Sequence, residues 1–319
     1  MTKYLATRLS LIYISLLFSF SFGYSAPING KIKKVSRQDI QIGDDIFKVS
    51  ADGTFIYDKK IKNPALLDVV YGDMEWTVYV EPEATLEINI SDNNLNEISY
   101  AGVLKSENAC LLKISQMSDE VNKYLKANWE ELHRKSETDF VTQIDSIKQL
   151  YLICMVPAEM DGNRLTMDFI DRFGAYLDLN YNRLIVMYPE RHYQYTGEEV
   201  TLSPYVVDEV EKLNLDNESL LSVEGYKKFV TALIDYKTSL ELKNDTSSLN
   251  AEMLKTDAVF GLINEMFKQE ELRDFWLSEY LIKHIQTNGI SSSEQFVDEF
   301  YAVCETKEYK RKVKAQLKE

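Results

Sequence analysis

Between residues 28 and 100, apolar and polar positions alternate in short runs. Ile28, Gly30 and Ile32 open one extended piece. Ile40 and Ile42 run into Gly43-Asp44-Asp45, positions 46–49 follow, and Asp52-Gly53 turns into 54–57. Beyond Asn63-Pro64, the runs 66–71 and 76–80 flank Gly72-Asp73. After Glu81-Pro82-Glu83, the residues Leu86, Ile88 and Ile90 share one face, and Ile98 and Tyr100 close the block. A period of two puts successive side chains on opposite faces of a strand. Turn residues at intervals of about 8–12 positions predict an antiparallel sandwich or half-barrel of some seven strands. Gly-Asp and Asp-Gly supply the positive-φ positions that tight hairpins need.

After Gly102 the period changes. Cys110, Ile114, Met117, Val121 and Tyr124 fall at spacings of four and three, as do Phe140, Ile144, Ile147, Tyr151 and Cys154. Each set predicts one apolar stripe on a helix. Ser136 and Asp139 resemble a capping box, and Pro157 should stop the second helix. A third helix is expected from Phe169 and Phe173 through Leu184 to near Pro189, followed by a Tyr-rich loop, YPERHYQYTGEE. Ser203-Pro204 is a good start for another. Further helices are expected around 226–234, 254–267 and 272–285, the last ending at Asn288-Gly289, then from Ser293 to about Cys304 and over 309–317. The fold class is therefore α+β: an antiparallel β-sandwich-like domain over 26–103, then an all-helical domain over 104–319.

The first residues read as a leader. Lys3 and Arg8 precede an apolar, hydroxyl-rich run over 9–22, and Gly23 and Ser25 provide the small residues for cleavage after Ser25. The run is shorter than the roughly 20 residues of a spanning helix, and no later stretch is apolar enough to span a membrane. Export to the periplasm or envelope of a Gram-negative bacterium is expected. Net charge is −15, and −17 without Lys3 and Arg8. Such a chain repels phosphate backbones, so nucleic acid is not expected as a partner. A hydrophobic share of 45% is ample for a packed core and argues against a disordered chain.

No reaction is spelled out. His133, His192 and His284 stand far apart, so no metal site is expected. Nucleophile elbows and phosphate-binding glycine loops do not occur, and no cofactor is expected. Cys110, Cys154 and Cys304 are widely spaced, without a C-x-x-C pair, and each sits on an apolar stripe where a thiol packs like a small hydrophobe. The most site-like segment holds Tyr188, Arg191, His192, Tyr193 and Tyr195. Aromatics beside a cation can stack on a sugar or a peptide, and Tyr and Arg dominate binding hot spots. A loop packing its own aromatics onto the helices is the alternative.

Several short motifs carry a resemblance: Asp52-Gly53-Thr54-Phe55, the Pro64 turn, Tyr71-Gly72, Tyr79-Val80-Glu81-Pro82, Tyr100-Ala101-Gly102 and Asn108. Over 28–108 the chain resembles the N-terminal β-domain of exported Bacteroidetes thioredoxin-like proteins, similar to thiol-disulfide oxidoreductases of the ResA/TlpA type. The likeness extends loosely through 222–304. It implies a β-domain followed by a helical region in an envelope protein. Two departures stand out. Pro82-Glu83-Ala84 occupies the place where the family often has Pro-Gly-Asp. The W-C-x-x-C centre, whose lowered thiol pKa drives disulfide attack, does not occur, and Trp76, Trp129 and Trp276 precede Thr, Glu and Leu. The expectation is a non-catalytic module that binds a partner protein or peptide, one candidate partner being a separate thioredoxin-like chain. The alternatives are a component of a split thiol-disulfide oxidoreductase, and a glycan-binding envelope protein.

Overall fold

The computed structural model describes residues 28–155, 164–223, 225–243 and 251–318. The expected leader and Pro157 lie outside the described residues. The chain forms two compact units that divide between Ala109 and Cys110.

The first unit holds eight strands: β1 Ile28–Ile32, β2 Asp39–Ile42, β3 Asp45–Lys48, β4 Thr54–Tyr57, β5 Ala65–Tyr71, β6 Met74–Val80, β7 Leu86–Ile90 and β8 Ile98–Gly102. They form two four-stranded sheets, ordered β4-β1-β7-β8 and β3-β2-β5-β6. The alternation read from the sequence is the alternation of burial: Ile40 and Ile42, Phe55 and Tyr57, and Leu86, Ile88 and Ile90 all turn inward. Phe47 and Tyr57 bring their rings to 5.0 Å, joining an edge strand of one sheet to an edge strand of the other. The β2–β3 and β5–β6 hairpins place Gly43 and Gly72 at positive φ and leave the following Asp at negative φ. That is the type II′ pattern, whose twist matches the flanking strands. One pair departs from the antiparallel expectation: β1 runs parallel to β7, because five strands intervene before the chain returns beside it.

Two backbone positions explain local sequence. Gly30 faces Phe55 across the β1–β4 pair, and a Cβ there would lie 1.9 Å from the ring. The ring fills the space the missing side chain leaves, a stabilising device for strand glycines. Glu83 is the one described non-glycine residue at positive φ, 62°. With Pro82 before it and Ala84 N–H donating to Glu81 C=O at 3.4 Å, it takes the third position of a type II turn. A glycine would hold that positive φ without the steric cost that the Glu83 Cβ brings. Glu83→Gly is expected to raise stability by about 0.5–1 kcal/mol, read as a higher midpoint in urea.

The described helices are α1 Lys105–Ala127, α2 Trp129–Arg134, α3 Glu137–Ile153, α4 Met167–Thr196, α5 Pro204–Glu211, α6 Tyr226–Lys243, α7 Ala251–Met266, α8 Glu270–Asn288, α9 Glu294–Val303 and α10 Lys307–Gln316. In the second unit, α2 and α3 pack on α4, α4 on α6, α6 on α7, α7 on α8, and α8 on α9 and α10. None of the described helices is long and apolar enough to cross a membrane. The Ser136–Asp139 cap forms, with Asp139 N–H donating to Ser136 Oγ at 3.3 Å.

Three helix starts are held from a distance. Glu137 Oε1 accepts the Ser203 N–H at 2.7 Å, before α5. Asp216 accepts the N–H groups of Lys268 and Gln269, before α8. Asp274 Oδ2 accepts the N–H groups of Glu305 and Thr306 and the Thr306 hydroxyl, each at 2.8 Å, before α10. Backbone donors at a helix start have no partner within the helix. Here carboxylates distant in sequence supply one and thereby position the helices.

Candidate functional site

The Tyr-rich segment is helical. α4 runs through Pro189 and ends at Thr196, where Gly197 adopts a left-handed conformation (φ 75°) and its N–H reaches Tyr193 C=O. Thr166 caps the other end, accepting from Phe169 N–H. The expected stop at Pro189 is thus corrected. Proline removes one ladder hydrogen bond and normally breaks a helix. Here its buried ring and the packing of α2, α3 and α6 along α4 hold the helix together.

This helix divides the five sequence candidates between faces. Tyr188 and His192 point into the core, 1% and 6% exposed, while Tyr195 is half-buried beside them. The Tyr188 hydroxyl donates to Lys135 C=O at 2.7 Å. His192 Nδ1 lies 2.7 Å from His133 C=O; a carbonyl only accepts, so Nδ1 carries the proton. Ring contacts run from Trp129 to His133 (4.3 Å), His133 to Phe140 (4.9 Å), Phe140 to Tyr188 (4.8 Å) and Tyr188 to His192 (5.2 Å). The cluster clamps α2 and α3 onto the end of α4. Arg191 Nη1 donates to Gln194 at 2.7 Å. Tyr193 faces elsewhere and is 52% exposed.

His133 has a further consequence. Its Nδ1 donates to Trp129 C=O at 2.7 Å, and its buried Nε2 has no partner. Burial holds its pKa below the usual value; the Trp129 carbonyl opposes this, and the nearby Arg191 and His192 add to the depression. Below pH about 6.5 the unfolded chain takes up a proton that the folded site resists, so stability falls as pH drops toward the folded pKa. Amide protection factors across 129–134, with the intrinsic pH dependence of exchange divided out, should therefore fall as pH drops from 7.5 to 5.5. His133→Phe should flatten that dependence.

On its other side α4 forms one wall of a groove of about 980 Å³. Arg183, Val186, Met187, Glu190 and Tyr193 line it from α4 at helical spacing. Lys228, Thr231, Asp235, Ser239 and Leu242 face them from α6, with Glu199 and Val200 at one end and Lys255 of α7 beside them. The volume lies at the upper end of the roughly 300–1,000 Å³ typical of ligand sites. Lys243 pairs with Glu199 at 3.1 Å. Burial raises the Asp235 pKa, Lys255 and Lys283 pull it back, and Glu190 raises it further. Arg183 is different: its Nη1 meets only the Met187 sulfur, at 3.7 Å, and its buried Nε has no partner.

Of the sequence candidates, only Tyr193 lines this groove. The others missed it because only the strongest apolar stripe of each helix was read. The second stripe, at 183, 186–187, 190 and 193, mixes charge with apolar residues and resembles a solvated face.

The thiols sit apart from the groove. None of the three forms a disulfide, and Cys110 and Cys304 are buried. Burial, then the neighbouring Asp274, push the Cys304 thiol up to about 11, against weaker pulls from Thr306 and Lys310. His284 is engaged with Thr256 at 2.9 Å and Asn288 at 3.1 Å. Among the described residues no group of three or more His, Cys, Asp or Glu side chains could hold a metal ion. Comparison with protein-family models, curated proteins and solved structures finds no match to the chain.

Proposed function

We propose that this protein is an exported, non-catalytic binding module of the cell envelope, whose helical unit takes a peptide segment of a partner protein in the α4–α6 groove. The groove itself carries the reading: it encloses about 980 Å³ between two helices and combines apolar side chains with charges and an exposed tyrosine. Tyrosine at such a place supplies contact area at low entropic cost. The glycan-binding alternative would rest mainly on Tyr193 and the half-buried Tyr195, since Tyr188 and His192 are committed to the core. A redox role has less support, because a thiol raised to about 11 is seldom a thiolate at neutral pH.

The test is selection of peptides from a displayed library on the immobilised mature protein. Enriched peptides should bind with micromolar affinity. Ala232→Trp, which fills the groove from α6, and Tyr193→Ala should each weaken them about tenfold or more, with circular dichroism unchanged. Peptides that ignore both substitutions would place binding elsewhere and refute the proposal.

A further inference from the structure

We infer that the α4–α6 groove selects peptide segments carrying a carboxylate next to an apolar side chain, with Arg183 anchoring the carboxylate. This rests on the peptide-binding reading above and specifies the ligand for that groove.

The charge distribution points there. The chain has 51 acidic and 36 basic residues, yet the groove is lined by five cations and three carboxylates. Several of those cations have company. Lys243 is paired with Glu199, Lys255 acts on Asp235, and Lys227 lies over the Phe275 ring at 4.8 Å. Arg183 has none of this. Elsewhere in the unit, Arg134 and Arg273 each meet a carboxylate and Arg191, which also lacks an ion pair, at least donates to the Gln194 amide oxygen, whereas Arg183 among the described residues meets only the Met187 sulfur.

The environment makes that costly. A guanidinium taken partly out of water without an acceptor loses hydration and gains nothing in exchange. Burial lowers the Arg183 pKa, with no carboxylate acting against it. The side chain remains partly exposed at the groove wall, so an incoming group can reach it. Its planar fork fits the two oxygens of an oxyanion. One uncommitted positive charge balances a carboxylate, whereas a phosphate brings about −1.5 to −2. Val186, Met187, Pro189 and Leu240 line the same groove and set the apolar half of the preference.

The experiment is a cycle between peptide and protein. Peptides with Glu, Gln or phosphoserine at one position, flanked by Leu, are titrated by fluorescence anisotropy against the wild-type chain, Arg183→Gln and Arg183→Lys. The wild type should bind Glu about 10- to 100-fold more tightly than Gln. Arg183→Gln should bring the two within about twofold, and Arg183→Lys, which keeps the charge but not the fork, should fall between. A gap that survives in Arg183→Gln overturns the assignment of Arg183. Equal binding of Glu and Gln by the wild type overturns the inference and leaves peptide binding standing, without relying on any variant folding. Tighter binding of phosphoserine than Glu replaces the carboxylate by a phosphate. If no peptide of any charge binds, the peptide-binding reading itself fails.

Discussion

Asp274→Ala is expected to destabilise the helical unit by about 3–5 kcal/mol, because three donors lose one acceptor at roughly 1–3 kcal/mol each and water recovers part of it. The Asp274 side chain is 0% exposed. Its Oδ2 gathers the N–H groups of Glu305 and Thr306 and the Thr306 hydroxyl, and Arg273 Nη2 reaches Oδ1 at 3.4 Å. Removing it frees the start of α10 from α8. Asp274→Asn keeps the shape but turns an acceptor into a donor facing donors, and should cost roughly half as much.

The pH dependence follows from the same geometry. Burial pushes the carboxyl upward, but the hydrogen bonds from Thr306, Glu305 and the Cys304 thiol outweigh it and hold the pKa below its ordinary value near 3.8. Between that value and the lower folded pKa, the unfolded chain binds a proton that the native one does not. The contribution is therefore complete above pH about 4 and is lost as pH falls through the folded pKa. Urea unfolding of wild type and Asp274→Asn from pH 7 to pH 3 should show the difference narrowing only at the acid end. In the same variant, Cys304 loses the negative charge that helps hold its thiol near 11. Alkylation at pH 8 should then be faster than in the wild type. If the two proteins unfold identically at pH 7, Asp274 is not the cap its geometry describes.

Asn108→Ala should cost the β unit about 2–4 kcal/mol. Asn108 is fully buried at the start of α1. Its side-chain carbonyl accepts the Tyr79 N–H at 2.8 Å, and its amide donates to Tyr79 C=O at 3.0 Å and to Leu104 C=O at 2.8 Å. Tyr79 lies on β6, the edge of its sheet. Both of its backbone groups therefore point outward, where an unpaired edge would otherwise invite another strand. A single amide occupies them as a neighbouring strand would. Asn108→Asp discriminates between packing and hydrogen bonding: it fills the same volume and accepts the N–H, but cannot donate to either carbonyl. It should lose about as much as alanine. Hydrogen exchange at the Tyr79 amide, protected in the wild type, should rise by the corresponding factor. A near-neutral Asn108→Asp would show that volume alone matters there.

The strands were legible because a period of two, interrupted by Gly-Asp and Asp-Gly, has few other realisations. The pairing of β1 with β7 was not, since parallel neighbours leave no mark at a turn. Helices were legible from their strongest apolar stripes. The six-residue α2 was too short to show a period, and α4 was ended too soon because Pro189 is a local breaker whose effect tertiary packing overrides. The tyrosines after it could not be sorted into core and groove without knowing that they share one helix. Arg183 and Asp274 were ordinary charges in the sequence, and Asn108 was one residue of a family-like pattern without a role.

By itself, then, the sequence determined the order of elements and which stripe of each is buried, because hydrophobic periodicity and turn chemistry are local. Tertiary structure alone decided what the polar residues do. Whether a carboxylate caps a distant helix or meets water, and whether a guanidinium has a partner, depends on which segments folding brings within 3 Å, and that distance is not written in the spacing along the chain.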